Sequence, residues 1–204
     1  VSDGSLSLPA RLYLLAWDVR RSEVTDGPLV RAGALVELSR RGLLVDDDGI
    51  ATPADLDTET GDAVLDGLLE LVRESRPHRW RSWVTPHARV TLDAVREQLT
   101  ADGFVSAERK RVLGVFPSVT YTLARRSAVT ALSEEAAELL TGPVPVAEVS
   151  DRDAALVALA MAGQLLPAGE HARGEALTAR AGAAVPGLRS VLAELRPAIG
   201  ASAT

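Results

Sequence analysis

Apolar residues return at helical spacing in one segment of this chain after another, and Gly or Pro stands between the segments. "TETGDAVLDGLLELVRES" shows the pattern most cleanly. Val64, Leu65, Leu68, Leu69, Leu71 and Val72 form one stripe behind Thr60 and an acidic first turn. A stripe of this kind is buried by packing against another element, so many of them in series imply helix packed on helix. "LSLPARLYLLAWD" enters a helix at Ser7-Leu8-Pro9 and sets Leu8, Leu12, Leu15 and Ala16 on one face. "LVRAGALVELSRRGLL" turns Leu29, Ala32, Leu35, Val36 and Leu38 inward and closes at Gly42; "VTLDAVREQLTADGFVS" is a further helix ending near Gly103. Four more helical segments follow: "SAVTALSEEAAELLTG", "DRDAALVALAMAGQLLP", "GEHARGEALTARAGA" and "GLRSVLAELRPAIG".

Strand signals are confined to two places. "LLVDDDGIATPAD" reads as strand, Asp-Gly turn, strand, and "ERKRVLGVFPSVTYTL" (residues 108–123) as two runs joined across Gly114 and Pro117. Each follows a helix and a Gly stop, an internal echo that also resembles a helix with a two-stranded wing. The expected fold is mainly α. It is a single-domain helical bundle over residues 1–204 with a projecting β-hairpin and short wing-like strand pairs, and 204 residues suffice for a substantial core.

Composition narrows the function. Without Cys there are no disulfides, thiolate metal sites or cysteine nucleophiles, and a reducing cytoplasm is the expected compartment. No apolar stretch nears the ~20 residues that cross a bilayer, and the first residues lack a signal-peptide pattern. A net charge of −6 opposes broad affinity for nucleic acid. His78, His87 and His171 lack zinc-site spacing, and "DDDGIATPADLD" has Leu44 where a calcium loop needs Asp. Nucleophile-elbow, Walker and dinucleotide motifs are absent, so no enzyme activity, cofactor or metal is expected.

Positive charge is local. "RPHRWRSWVTPHAR" holds Arg76, Arg79, Arg81 and Arg89 with Trp80 and Trp83 and no acid; Arg109, Lys110 and Arg111 lead into the hairpin, and Arg125 and Arg126 leave it. Guanidinium forks match phosphate oxygens and Trp suits the membrane boundary, so such a loop fits anionic headgroups; buried Trp in a solvated basic loop is the equally open alternative. Each basic residue near an anionic surface contributes about 1 kcal/mol.

The succession "LSLPARLYLLAWD", "LVRAGALVELSRRGLL", "TGDAVLDGLLELV", "SWV", "VREQLTADGFVSAERKRVLGVF" and "ALVALAMAGQLL" resembles the Golgi phosphoprotein 3 family, actinobacterial members included, from about Leu6 through the last helices. The resemblance implies a mostly helical domain with a projecting hairpin and no enzymatic activity. It also implies a peripheral membrane protein, whose eukaryotic members bind phosphatidylinositol 4-phosphate and serve as glycosyltransferase adaptors. By that resemblance Arg31 and Arg89 are headgroup ligands. The second arginine of the family's pair falls on Leu92, and the pocket Trp has no counterpart in "RRSEVTDGP", where Arg20 and Arg21 are the candidate substitutes. Arg111, Leu113, Val115 and Phe116 are the hairpin residues expected to touch a membrane or a second subunit.

The expected partners are therefore an anionic phospholipid or phosphoinositide headgroup, the inner face of the membrane and, through the hairpin, another copy of the chain; no nucleic acid is expected. Two alternatives stay open. One is a winged-helix DNA-binding regulator with "GALVELSRR" and "LDAVREQLTAD" as recognition helices. The other is a protein-interaction scaffold dimerising through its hairpin.

Overall fold

The structure is a computed structural model; it describes residues 6–20, 24–112, 116–166 and 171–202. Among these are eight α-helices: α1 (Leu8–Arg20), α2 (Gly27–Arg40), α3 (Ala63–Glu74), α4 (Ala88–Ala101), α5 (Arg126–Thr141), α6 (Asp151–Ala162), α7 (His171–Ala184) and α8 (Leu188–Ser202). Two small antiparallel sheets accompany them: β1 (Leu44–Asp47), β2 (Ile50–Pro53) and β3 (His78–Arg79) form one, β4 (Val105–Val112) and β5 (Phe116–Leu123) the other. The chain is mainly α with hairpin-like strands, as the periodicity predicts.

α2 is the hub, packed against α1, α3, α4, α6 and α8. The sequence pattern predicts one inward face, but every residue from Leu29 to Ser39 is buried. A helix enclosed on all sides needs small residues where neighbours approach. A Cβ on Gly33 would lie 2.7 Å from Leu12 Cδ1 and 3.1 Å from Pro9 Cα, so glycine here lets α1 cross closely. The enclosure also removes α2 as a recognition helix, which needs a free face; α4 keeps exposed positions.

The echo seen in the sequence is real in the backbone. α2 and α4 both close with a Schellman motif, Leu43 N–H donating to the Leu38 carbonyl and Phe104 N–H to the Leu99 carbonyl, each at 2.9 Å. Gly42 and Gly103 take φ of +74° and +73° at these stops. Each helix then feeds an antiparallel pair. β1 and β2 turn at Asp48 and Gly49, both with positive φ, as expected of an Asp-Gly turn. The first pair gains β3 as a third strand, which two residues are too few to announce in sequence.

The β4–β5 ladder runs from Val105↔Leu123 to Val112↔Phe116. Its base is anchored: Val105 and Phe104 are buried, and Arg125 lies 4.8 Å from the Phe104 ring centroid. Farther out, Ala107 and Glu108 on one strand and Val119 and Thr120 on the other are all exposed. Consecutive strand residues face opposite sides, so both faces of the ladder are free there and the hairpin stands off the body. Leu113 and Val115 lie outside the described residues, as do the side chains of Arg111 and Phe116.

Trp80 and Trp83 are core residues at 1% and 7% exposure, which settles the open choice for the basic loop against a Trp-lined membrane edge. They occupy a 3-10 turn, Trp80–Trp83, where Trp80 donates from Nε1 to Asp46 Oδ1 at 2.7 Å and packs on Gly187.

Candidate anion site at the junction of α2 and α4

The starts of α2 and α4 meet backbone to backbone. A Cβ on Gly27 would stand 3.0 Å from the Ala88 carbonyl carbon and 3.2 Å from Arg89 N, so α2 could not begin here with a larger residue without shifting. Neither helix start is capped by a side chain: Asp26 precedes α2 and His87 precedes α4, both without a capping hydrogen bond. Gly27, Ala88 and Val90 already donate to local carbonyls and Pro28 has no N–H, so what the converging starts present is chiefly the positive ends of two macrodipoles.

Arg31 lies one turn inside α2 and is 1% exposed. Its Nη2 donates to the His87 carbonyl at 2.6 Å, an acceptor aimed by the left-handed φ of +56° at His87. Nε and Nη1 are buried without a hydrogen-bond partner among the described residues. Burial pushes this guanidinium down to about 10, low for arginine yet still charged at neutral pH. A buried cation with spare donors is costly until an anion meets it.

Arg89, two residues past His87, sits at the same junction but outside it: its side chain is 79% exposed and its Nε lies 3.6 Å from Asp93 Oδ2. Folding thus brings the two arginines predicted from the resemblance to one place, one beneath the surface and one upon it. Leu92 is 1% exposed and contributes to the core. Trp17 is 7% exposed and tilted against Tyr13 at 5.8 Å, so it belongs to the core as well. Arg20 ends α1 with its side chain outside the described atoms, and Arg21 lies outside the described residues.

Sequence reasoning misses Arg96. It is 4% exposed and forks in three directions: Nη2 donates to the Val24 carbonyl at 2.5 Å, Nε to Tyr13 Oη at 3.3 Å, and Nη1 to Asp93 Oδ1 at 3.0 Å. The Tyr121 ring of β5 lies 5.2 Å beneath it. One buried residue therefore ties α4 to α1, to the segment entering α2 and to the hairpin base. Its only signal in sequence is its place one turn past Leu92, on the inward face of α4.

Residues 75–92 contain no carboxylate, and Arg76, His78, Arg79, Arg81 and His87 are exposed; His78, Arg79 and Trp80, however, pair with β2 and the β1–β2 turn beside Asp46, toward the C-terminal end of α2 and not at the junction. A groove of about 740 Å³ between α6, α7 and α8 is edged by Gln164, Arg189 and Arg196 and involves neither Arg31 nor Arg89. No helix among the described residues is long and apolar enough to cross a membrane.

A family model described as Golgi phosphoprotein 3 (GPP34) matches residues 8–199, nearly the whole chain. The chain belongs to the Golgi phosphoprotein 3 family. The match spans α1 through most of α8, so the junction and the hairpin of this Golgi phosphoprotein 3 chain both fall inside it. A search of curated proteins finds no match.

Proposed function

We propose that this Golgi phosphoprotein 3 family member is a non-enzymatic, peripheral membrane protein that binds an anionic phospholipid headgroup where α2 and α4 begin. The observation that carries the reading is Arg31: a fully buried guanidinium whose Nε and Nη1 have no hydrogen-bond partner among the described residues, at the convergence of two helix starts. Arg89 is the cation an arriving phosphate meets first, and Arg76, Arg79 and Arg81, exposed beside the β1–β2 turn, add only longer-range attraction to an anionic surface. Reaching Arg31 requires its cover to move aside, so binding and a local rearrangement of the α2 entry go together. By resemblance the headgroup is phosphatidylinositol 4-phosphate, and the surface is the cytoplasmic face of the membrane.

Sedimentation with vesicles tests this. The protein pellets with phosphatidylcholine vesicles that contain phosphatidylinositol 4-phosphate and stays in solution with phosphatidylcholine alone; Arg89→Glu and Arg31→Met each reduce the pelleted fraction. Pelleting that ignores both substitutions contradicts the assignment. Vesicles carrying unphosphorylated phosphatidylinositol separate recognition of the 4-phosphate from attraction to any anionic surface.

A second role rests on the hairpin. Val119 is 41% exposed on a two-stranded ladder free on both faces, an arrangement that invites pairing with another copy. Light scattering should show Val119→Asp shifting any self-associated species to monomer; an unaltered mass contradicts this role.

A further inference from the structure

The inference drawn here rests on the headgroup reading of the α2–α4 junction and concerns Asp93, which that reading leaves unexplained. Asp93 is half-exposed and faces two arginines on its own helix. Oδ2 lies 3.6 Å from Nε of the exposed Arg89, and Oδ1 accepts from Nη1 of the buried Arg96 at 3.0 Å. A carboxylate beside the first cation that a phosphate meets lowers the site's attraction for that phosphate. Were α4 selected only for anion affinity, a neutral residue would serve better here.

We propose that Asp93 is the site's resident counter-ion. It holds Arg89 when no headgroup is present, an arriving phosphate displaces it, and Arg96 keeps it in place and neutralises it. Arg96 is thus a positioning residue. Its grip on Asp93 keeps that carboxylate from pairing fully with Arg89, and its grip on the Val24 carbonyl holds the chain that leads into α2. The same guanidinium covers Tyr121 at the hairpin base, so displacement of Asp93 is also felt there.

Opposite signs distinguish this arrangement from a brace that merely supports the fold. Affinity is measured by sedimentation with vesicles of phosphatidylcholine mixed with phosphatidylglycerol at low salt. Asp93→Asn strengthens binding about two- to five-fold, the range expected when an exposed ion pair no longer competes. Arg96→Met weakens binding, because Asp93 loses its neutralising partner, and Arg96→Lys recovers part of the loss because an ammonium restores charge without the fork. Asp93→Asn strengthens binding by a larger factor in the Arg96→Met background than in the wild type, a coupling that independent sites lack. Melting curves of each variant confirm that it is folded; should Arg96→Met not fold, the Arg96→Lys and Asp93→Asn pair carries the comparison.

A wild-type protein that pellets, with Asp93→Asn binding no tighter or more weakly, overturns this inference and leaves the headgroup reading standing. Where the wild type ignores phosphatidylglycerol, the same variants are compared on vesicles carrying phosphatidylinositol 4-phosphate; a wild-type protein that ignores those as well overturns both.

Discussion

At the scale of single residues, the chain keeps buried charges that act in different ways. Glu37 is 1% exposed on α2; burial would raise its carboxyl, but hydrogen bonds and charge from Arg40 and Arg41 outweigh that and hold it below its ordinary 4.5. A depressed folded value means the stabilisation is present above the ordinary value and lost as pH falls through the folded one. Acid titration of the melting temperature should therefore show a loss beginning below about pH 4.5 that Glu37→Gln reduces but does not remove, since Asp55 is depressed as well. Arg31 works the other way. Because its desolvation is incompletely compensated, Arg31→Met should leave the protein as stable or more stable, by about 1–3 kcal/mol, while weakening anion binding. Calorimetry checks the first half. A large destabilisation would mark Arg31 as a structural cation and not a ligand.

At the scale of elements, shape is decided by a few close approaches. Gly187 opens α8 with φ of +73°, and a Cβ there would stand 2.2 Å from the Trp80 ring, so Gly187→Ala meets a strained backbone and an immovable indole together. Its expected cost is about 3 kcal/mol, read from denaturant unfolding followed by tryptophan fluorescence. The helices were legible because each stripe repeats over three or more turns and because Gly42 and Gly103 stop α2 and α4 as such residues should. The hairpin's existence was legible from two strand-like runs broken at Gly114 and Pro117, and its standing off the body from the family resemblance. What was not legible depends on tertiary neighbours. β3 is two residues that pair only because Trp80 anchors the segment beside the first wing. The burial of both tryptophans in a basic loop follows from α8 lying beneath them. Arg96 reads as a surface residue until Tyr13, Val24 and Tyr121 are seen around it. For the candidate site, local sequence spoke for the arginine positions matched by resemblance and was silent on the depth of Arg31.

At the scale of the whole molecule, net charge and function pull apart. The chain carries −6 in total, yet residues 75–92 contain no carboxylate, and that stretch reaches Arg89 at the junction where α2 and α4 begin. Long-range repulsion from the acidic remainder leaves association dependent on this local face, so vesicle binding should weaken steeply with salt while still requiring Arg89. The family match, the convergence at Gly27 and the unpartnered donors of Arg31 all bear on that same face. The most direct test observes the arginine Nε–H signals by NMR during titration with inorganic phosphate against chloride at equal ionic strength. The account predicts that the Arg31 signal moves saturably with phosphate and that Arg89→Glu suppresses the movement. An Arg31 signal that stays fixed while exposed arginines drift together would contradict it.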